Sequence, residues 1–91
     1  MKEQEAKDLL YEHLKEYRRR SYAELVALLE RPQTTEVGGP SGTRYQIEVQ
    51  VFWDGPRNGN VRVLGSIDDG GWRAFVPLTD SLIVAPSGVF I

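Results

Sequence analysis

The sequence predicts an α+β fold, in which one or two N-terminal helices pack on one face of a four- to five-stranded antiparallel meander sheet. Two patterns predict it. Apolar residues recur at helical spacing within residues 3–30, and from residue 44 onward they alternate with polar residues. Ninety-one residues predict a single domain, with a helical part (3–30), a linker (31–43) and the sheet (44–91).

The helical part divides near residue 20. One face of the first segment carries Ala6, Leu9, Leu10, His13, Leu14 and Tyr17. Ser21 and Glu24 have the spacing of a capping box, which predicts that a second helix begins at Tyr22. We expect it to end before Pro32, because the residue preceding a proline avoids helical angles. One continuous helix over residues 3–30 is the alternative.

The linker leads into the most strand-like part of the chain. Residues 34–37 are interpreted as a possible short edge strand, and the run GGPSG at residues 38–42 as a flexible turn. From there Tyr45, Ile47, Val49, Val51 and Trp53 point to one side and mostly polar residues to the other. This alternation predicts one buried and one exposed sheet face.

Asp69 and Gly70 predict a two-residue hairpin turn, since both central positions of such a turn need positive φ. That turn sets a register in which apolar residues meet apolar residues. Gly65 then leaves space on the buried face, which a leucine or tyrosine from a helix could fill. The predicted pairs are Ile67 with Trp72, Gly65 with Ala74, Val63 with Val76, and Val61 with Leu78.

The last part of the chain predicts one more hairpin. Residues 79–81 are interpreted as a turn or bulge, followed by a strand at 82–85, a turn at 86–88 and a strand at 89–91. Because residues 89–91 are apolar, we expect them to pair within the sheet.

The composition narrows the classes of function. The chain has no cysteine, which excludes disulfides, thiolate nucleophiles and zinc–thiolate sites. Its net charge of −2 makes nucleic-acid binding unlikely. The charged N-terminus and the absence of a long apolar run predict a cytoplasmic protein that does not bind membranes.

Three hydrophobic residues point away from the predicted core. These are Phe52, Leu64 and Phe75, with Leu64 expected opposite Phe75, and Gln50 and Arg73 lie at their rim. A contiguous exposed apolar group can mark an interface. Such a group can also form a second small core beneath the chain terminus or the second helix, and the sequence leaves both interpretations open.

Other candidate sites have simpler structural interpretations. Asp54, Asp68, Asp69 and Asp80 could together hold a divalent cation, but Asp54 is expected at the opposite end of its hairpin from Asp68 and Asp69. Asp68 and Asp69 are interpreted as turn residues that bond their own backbone. His13 is interpreted as a partly buried residue of the first helix, and residues 18–20 as solvated arginines at the helix end. No catalytic, metal-ligating or cofactor-binding residue is assigned, and no cofactor is expected.

Part of the chain resembles a family of small uncharacterised bacterial proteins. The resemblance is carried by YQIEVQVFWD at residues 45–54, VLGSIDDGG at 63–71 and PLTDS at 77–81, and it also touches SYAEL at 21–25. It covers roughly residues 20–91. The resemblance implies a helical N-terminal part on an antiparallel sheet and a bacterial intracellular setting, and it implies no activity.

We therefore predict a non-catalytic protein-interaction module, which binds a protein partner or itself through the outer sheet face. An immunity or antitoxin-like protein belongs to this class. The alternative is a small ligand-binding, metal-binding or enzymatic domain that uses the aspartates at the sheet loops, together with Trp53 or Arg57 beside Asp54.

Overall fold

The computed structural model describes residues 2–71 and 76–91. Two helices come first in the chain, α1 (Glu3–Arg18) and α2 (Tyr22–Val26). Four strands follow, namely β1 (Gln33–Gly38), β2 (Arg44–Trp53), β3 (Val61–Asp68) and β4 (Leu78–Val84). The strands form one antiparallel sheet in the order β1-β2-β3-β4, which confirms the predicted α+β meander.

The helical part consists of two helices, so the single continuous helix is excluded. Ser21 starts α2 with the predicted capping box, since its side chain accepts from the Glu24 N–H while the Glu24 carboxylate accepts from the Ser21 N–H. The helix is shorter than predicted and ends at Val26. Tight turns continue the chain to Glu30, whose φ of 60° ends the helical path before Pro32 is reached.

The first part of the sheet follows the predicted pattern. The edge strand predicted at residues 34–37 is present as β1, within the predicted linker. Along β2, Tyr45, Ile47, Val49 and Val51 are buried, whereas their polar neighbours are exposed or half-buried. The loop between β2 and β3 is held by the Tyr22 hydroxyl, which donates to the Gly59 carbonyl at 2.8 Å.

The register predicted for β3 is wrong. Ile67 pairs with Leu78 instead of Trp72, a shift of six residues, and Val76 is exposed instead of inward. Residues 79–81 belong to strand β4 and do not form a turn. The observed pairs are Ile67 with Leu78, Gly65 with Asp80, Val63 with Leu82, and Val61 with Val84.

Asp68 and Asp69, at the end of β3, explain why the predicted register is wrong. Gly70 has a φ of 83°, but Asp69 is not among the described residues with positive φ, so a two-residue turn cannot close. The Asp68 carboxylate instead accepts from the Gly70 N–H at 2.8 Å, and Asp69 accepts from the Gly71 N–H at 3.2 Å. These bonds stabilise a local turn that begins a longer connection to β4. Trp72 and Ala74, the other predicted partners, lie outside the described residues.

The core lies between the helices and one face of the sheet, which we call the inner face. Every apolar residue that alternation directs to this side of β2 and β3 is buried except Trp53, which is half-buried. The helices contribute Ala6, Leu10, Leu14, Tyr17 and Leu25, and β4 contributes Leu82 and Val84.

Gly65 allows α1 to approach the sheet. A Cβ atom at this position would lie 2.9 Å from Leu10 Cδ1 and 3.0 Å from Leu14 Cδ2. Non-bonded carbons prefer about 3.5–4.0 Å, so the two leucines occupy the space that a side chain would need. The expectation that a helix fills this space is confirmed, although the residue opposite Gly65 is Asp80 rather than Ala74.

Residues 89–91 pair with β4, as predicted. Phe90 forms an antiparallel bridge with Val84, and the Ile91 N–H donates to the Ile83 carbonyl at 2.8 Å. Phe90 packs against the core, so alternation directs Val89 and Ile91 to the opposite side of the sheet.

Glu5 fastens the start of α1 to the turn between β1 and β2. Its carboxylate accepts from the Ser41 hydroxyl at 2.7 Å, the Ser41 N–H at 2.8 Å and the Tyr45 hydroxyl at 2.8 Å. The Ser41 hydroxyl is the largest of the influences that lower the pKa of Glu5. Burial raises the pKa of Tyr45, and the neighbouring Glu5 adds to that effect.

Within the described residues, none of the helices combines the length and the apolar character needed to cross a membrane.

Replacing Gly65 with alanine should lower the free energy of unfolding by about 1–3 kcal/mol, because Leu10 and Leu14 would have to move. Urea denaturation measures the change. Gly38→Ala is the matched control, since its Cβ would meet only Arg44 Nη1 at 3.9 Å. A Gly65→Ala variant as stable as the wild type would contradict the close approach of α1.

Replacing Glu5 with glutamine should lower the free energy of unfolding at neutral pH. It should also make that free energy depend less on pH in the acidic range. The folded-state pKa of Glu5 lies below its ordinary value of 4.5, so its stabilisation is complete above that value and is lost as pH falls through the folded-state pKa. The difference between wild type and Glu5→Gln should therefore shrink between about pH 7 and about pH 3 in urea denaturation.

Ser41→Ala tests the same contact from the other side. In the wild-type background it should lower the free energy of unfolding by part of the amount that Glu5→Gln does. In the Glu5→Gln background it should have little further effect, because both substitutions remove the same interaction. Parallel stability curves for wild type and Glu5→Gln across this pH range would show that the contact does not stabilise the fold.

Candidate protein-interaction face

The side of the sheet opposite the helices, which we call the outer face, is polar at one end and apolar at the other. The polar end includes the ion pair between Arg44 and Glu36, followed by Gln46 and Glu48. Gln50 marks the transition, and its side chain donates to Glu48 Oε1 at 3.0 Å. The apolar end begins at Phe52, which is 39% exposed.

Four hydrophobic residues form an apolar strip across this end, namely Phe52, Leu64, Ile83 and Ile91. The register aligns Phe52, Arg62 and Ile83 across three neighbouring strands, and the hydrogen bond from Ile91 to Ile83 extends the row to the terminal segment. Leu64 lies in the adjacent row, opposite Gln50 on one side and Ser81 on the other. Leu64 and Ile83 are half-buried, whereas Ile91 is exposed.

Arg62 lies within the strip, and its guanidinium is held by two side chains. Nε donates to Asp54 Oδ1 at 3.0 Å, and Nη1 donates to Ser81 Oγ at 2.8 Å. Both members of this ion pair are about 30% exposed, at 31% for Arg62 and 30% for Asp54. The carboxylate compensates the positive charge, so the hydrophobic residues surround a neutralised pair rather than a free cation.

The structure brings together three of the residues predicted for this face. Phe52, Leu64 and Gln50 lie on the outer face, with Leu64 directly opposite Gln50 and diagonal to Phe52. The predicted pairing of Leu64 with Phe75 is wrong, because the shifted register places Ser81 opposite Leu64. Phe75 and Arg73 themselves lie outside the described residues.

Sequence reasoning missed Ile83 and Ile91. Ile83 belongs to the continuous apolar run LIVA at residues 82–85, in which alternation does not reveal which residue faces outward. The terminal hairpin was the available signal. Once Phe90 is placed against the core opposite Val84, the neighbours Ile83 and Ile91 must both face outward.

Neither element that sequence reasoning offered as a cover lies over the strip. Helix α2 packs against the inner face, where Leu25 is fully buried. The terminal segment joins the sheet beside β4, so it extends the outer face instead of folding across it. Among the described residues, the strip is therefore a surface rather than a second core.

The four aspartates proposed as an alternative site are spread along the sheet. Asp54 pairs with Arg62 at one end of β3, whereas Asp68 and Asp69 lie at the other end. The ends of β3, Val61 and Asp68, lie seven residue steps apart, a distance of about 23 Å in an extended strand. In the part of the chain that the structure describes, no group of three His, Cys, Asp or Glu side chains is placed to hold a metal ion.

His13 and the basic run at residues 18–20 pack against aromatic side chains. The His13 ring lies 6.0 Å from that of Tyr17, and burial is the main cause of its lowered pKa. The Arg20 guanidinium lies 4.5 Å from the Tyr17 ring, and that of Arg18 lies 5.4 Å from Phe90. Two of the three arginines are thus engaged with the chain's own aromatic residues.

Comparison with known proteins does not place the chain in a family. No protein-family model matches it, and neither the curated proteins nor the solved structures gave a significant match. The resemblance to small bacterial proteins therefore stays a prediction.

Proposed function

We propose that this chain is a non-catalytic protein-interaction module that uses the outer face of its sheet. One observation carries the proposal. The helices cover the inner face, while the outer face presents the apolar strip across β2, β3, β4 and the terminal segment. Hydrophobic residues grouped on an uncovered sheet face can mark a protein contact, and Arg62, which lies between Phe52 and Ile83, is compensated by Asp54.

The strip has the composition of the centre of an interface. Its hydrophobic residues surround the compensated pair of Arg62 and Asp54, and the polar residues Gln50 and Glu48 border one side. Interfaces commonly have an apolar centre and a polar rim. The cytoplasmic setting expected from the sequence belongs to the same proposal.

We assign a second copy of the chain as the occupant. A symmetric dimer needs only one patch that complements itself, and a strip of aliphatic and aromatic residues meets that requirement without matching charges. The four strands hold 6, 10, 8 and 7 residues, so the whole outer face presents roughly 500 Å² in projection. Standard interfaces bury about 800 Å² on each partner, so we expect a dimer that uses only the apolar end of this face to be weak and to depend on concentration.

The double substitution Leu64→Lys and Ile83→Lys should convert a dimer into a monomer, because it places two charges in the centre of the strip. Sedimentation velocity over a range of concentrations measures the change. Both positions are only half-buried on the outer face, so we expect the circular-dichroism spectrum of the fold to be retained.

The control is Gln46→Lys with Thr79→Lys, which adds the same charge to exposed positions of the outer face beyond the strip. This variant should remain dimeric. A wild-type chain that stays monomeric at every concentration would exclude the second copy as occupant. A lysine variant of the strip that still dimerises would exclude the strip as the contact.

A further inference from the structure

A groove lies beside the end of β2, where β1 no longer accompanies it. The pairing of β1 with β2 stops at Gln33 and Val49, but β2 continues to Trp53. The segment before β1 passes alongside and makes one parallel bridge, between Leu29 and Val51. Two adjoining hollows of about 280 and 360 Å³ remain there, and both are lined by Glu30, Val51 and Phe52.

The bottom of this groove is apolar and aromatic. Val26 and Leu29 line it from the helical side and Trp53 from the strand, and all three are half-buried hydrophobic residues at the margin of the core. Phe52 forms the border with the outer face. Tryptophan and its aliphatic neighbours offer a pocket into which an apolar side chain can be buried.

Each hollow of the groove is lined by one arginine that has no side-chain partner among the described residues. Arg31 lines one hollow and Arg57 the other. Every other described arginine has a partner. Arg18 and Arg20 stack on aromatic rings, while Arg19, Arg44 and Arg62 form ion pairs. Within the described residues, Arg31 and Arg57 have neither kind of contact, and both are exposed.

The charge of the groove contrasts with that of the chain. The two arginines and Glu30 give its lining a net positive charge, whereas the chain carries −2. Guanidinium groups bind carboxylates through two parallel hydrogen bonds, and arginine and tryptophan are enriched among the residues that dominate protein binding. Two free guanidinium groups beside an aromatic pocket therefore complement an acidic segment that carries an apolar side chain.

We propose that this groove, the arginine groove, binds an acidic segment of a partner protein. The apolar side chain of the segment enters the hollow beside Trp53, and its flanking carboxylates pair with Arg31 and Arg57. This site is separate from the apolar strip except for Phe52 at their common border, and it does not depend on dimerisation.

Three acetylated hexapeptides serve as probes. In the first, glutamates alternate with phenylalanines; in the second, lysines replace the glutamates; in the third, alanines replace the phenylalanines. Titration into ¹⁵N-labelled protein follows the Trp53 indole and the Arg57 amide. The first peptide should shift both signals and bind at least about tenfold more tightly than the other two. Equal binding of all three, or shifts confined to other regions, would overturn the proposal.

The variant Arg31→Gln with Arg57→Gln should weaken binding of the first peptide by about tenfold or more. Thermal stability should not change, because both arginines are exposed and neither side chain has a partner within residues 2–71 and 76–91. The matched control is Arg19→Gln with Arg44→Gln, which removes the same charge elsewhere and should change affinity by less than about twofold. Equal weakening by both pairs would show only a general charge effect and would overturn the site.

The lysine variant of the apolar strip distinguishes the two proposals. Leu64→Lys with Ile83→Lys should retain binding of the first peptide even where it abolishes dimerisation. Loss of peptide binding in this variant would show that the outer face, and not the arginine groove, receives the peptide.

Discussion

The contact of Leu10 and Leu14 with the bare backbone at Gly65 is the constraint on which the rest of the structure depends. A Cβ at Gly65 would approach both leucines to about 3 Å, with distances of 2.9 and 3.0 Å. This contact commits the apolar face of α1 to one side of the sheet. Glu5 then fastens the start of the same helix to the β1–β2 turn. Both described helices pack on this side, so within the described residues no helix covers the opposite side of the sheet.

Much of this architecture could be predicted because it depends on local patterns. The capping box at Ser21 and the alternation in β2 each reflect neighbouring residues, and both predictions are confirmed. Helix leucines also fill the space expected at Gly65, although the register from which that space was predicted is wrong. The pairing of β3 could not be predicted in this way. Alternation of apolar and polar residues shows only whether a shift in strand register is odd or even. The partner of Ile67 is Leu78 instead of Trp72, which is a shift of six residues and therefore even. Apolar residues therefore matched in the wrong register as well.

The same limit explains which site residues were found. Phe52, Leu64 and Gln50 lie on the outer face because alternation alone determines their side of the sheet. Ile83 and Ile91 depend on pairing between distant segments, so the sequence did not reveal them. The arginine groove is harder to predict than the strip, because it depends on the different lengths of two paired strands. The pairing with β1 stops at Val49, whereas β2 continues for four more residues to Trp53. The sequence offers Trp53 and Arg57 as candidate binding residues of the alternative function, but nothing in the local sequence indicates that Arg31 lies beside the same strand end.

The two candidate surfaces differ in whether their arginines are paired with a carboxylate. On the apolar strip, Asp54 compensates Arg62, so association there depends on apolar contact and should change little with salt. In the arginine groove, Arg31 and Arg57 outnumber Glu30, so the lining has a net positive charge and binding of an acidic segment there should weaken as salt screens it. The proposed occupants therefore differ, a hydrophobic surface for the strip and an acidic segment for the groove, although Phe52 borders both.

The central claim is that the helices cover one face of the sheet and leave the other to a partner. Paramagnetic broadening of methyl signals by a water-soluble gadolinium chelate tests it directly. In dilute protein, the methyl groups of Leu64, Ile83 and Ile91 should broaden, while those of Val49 and Val63 stay sharp. At high concentration, the first group should become protected. Protection of Leu64 and Ile83 in the monomer would contradict the account, because it would mean that the chain covers its own outer face.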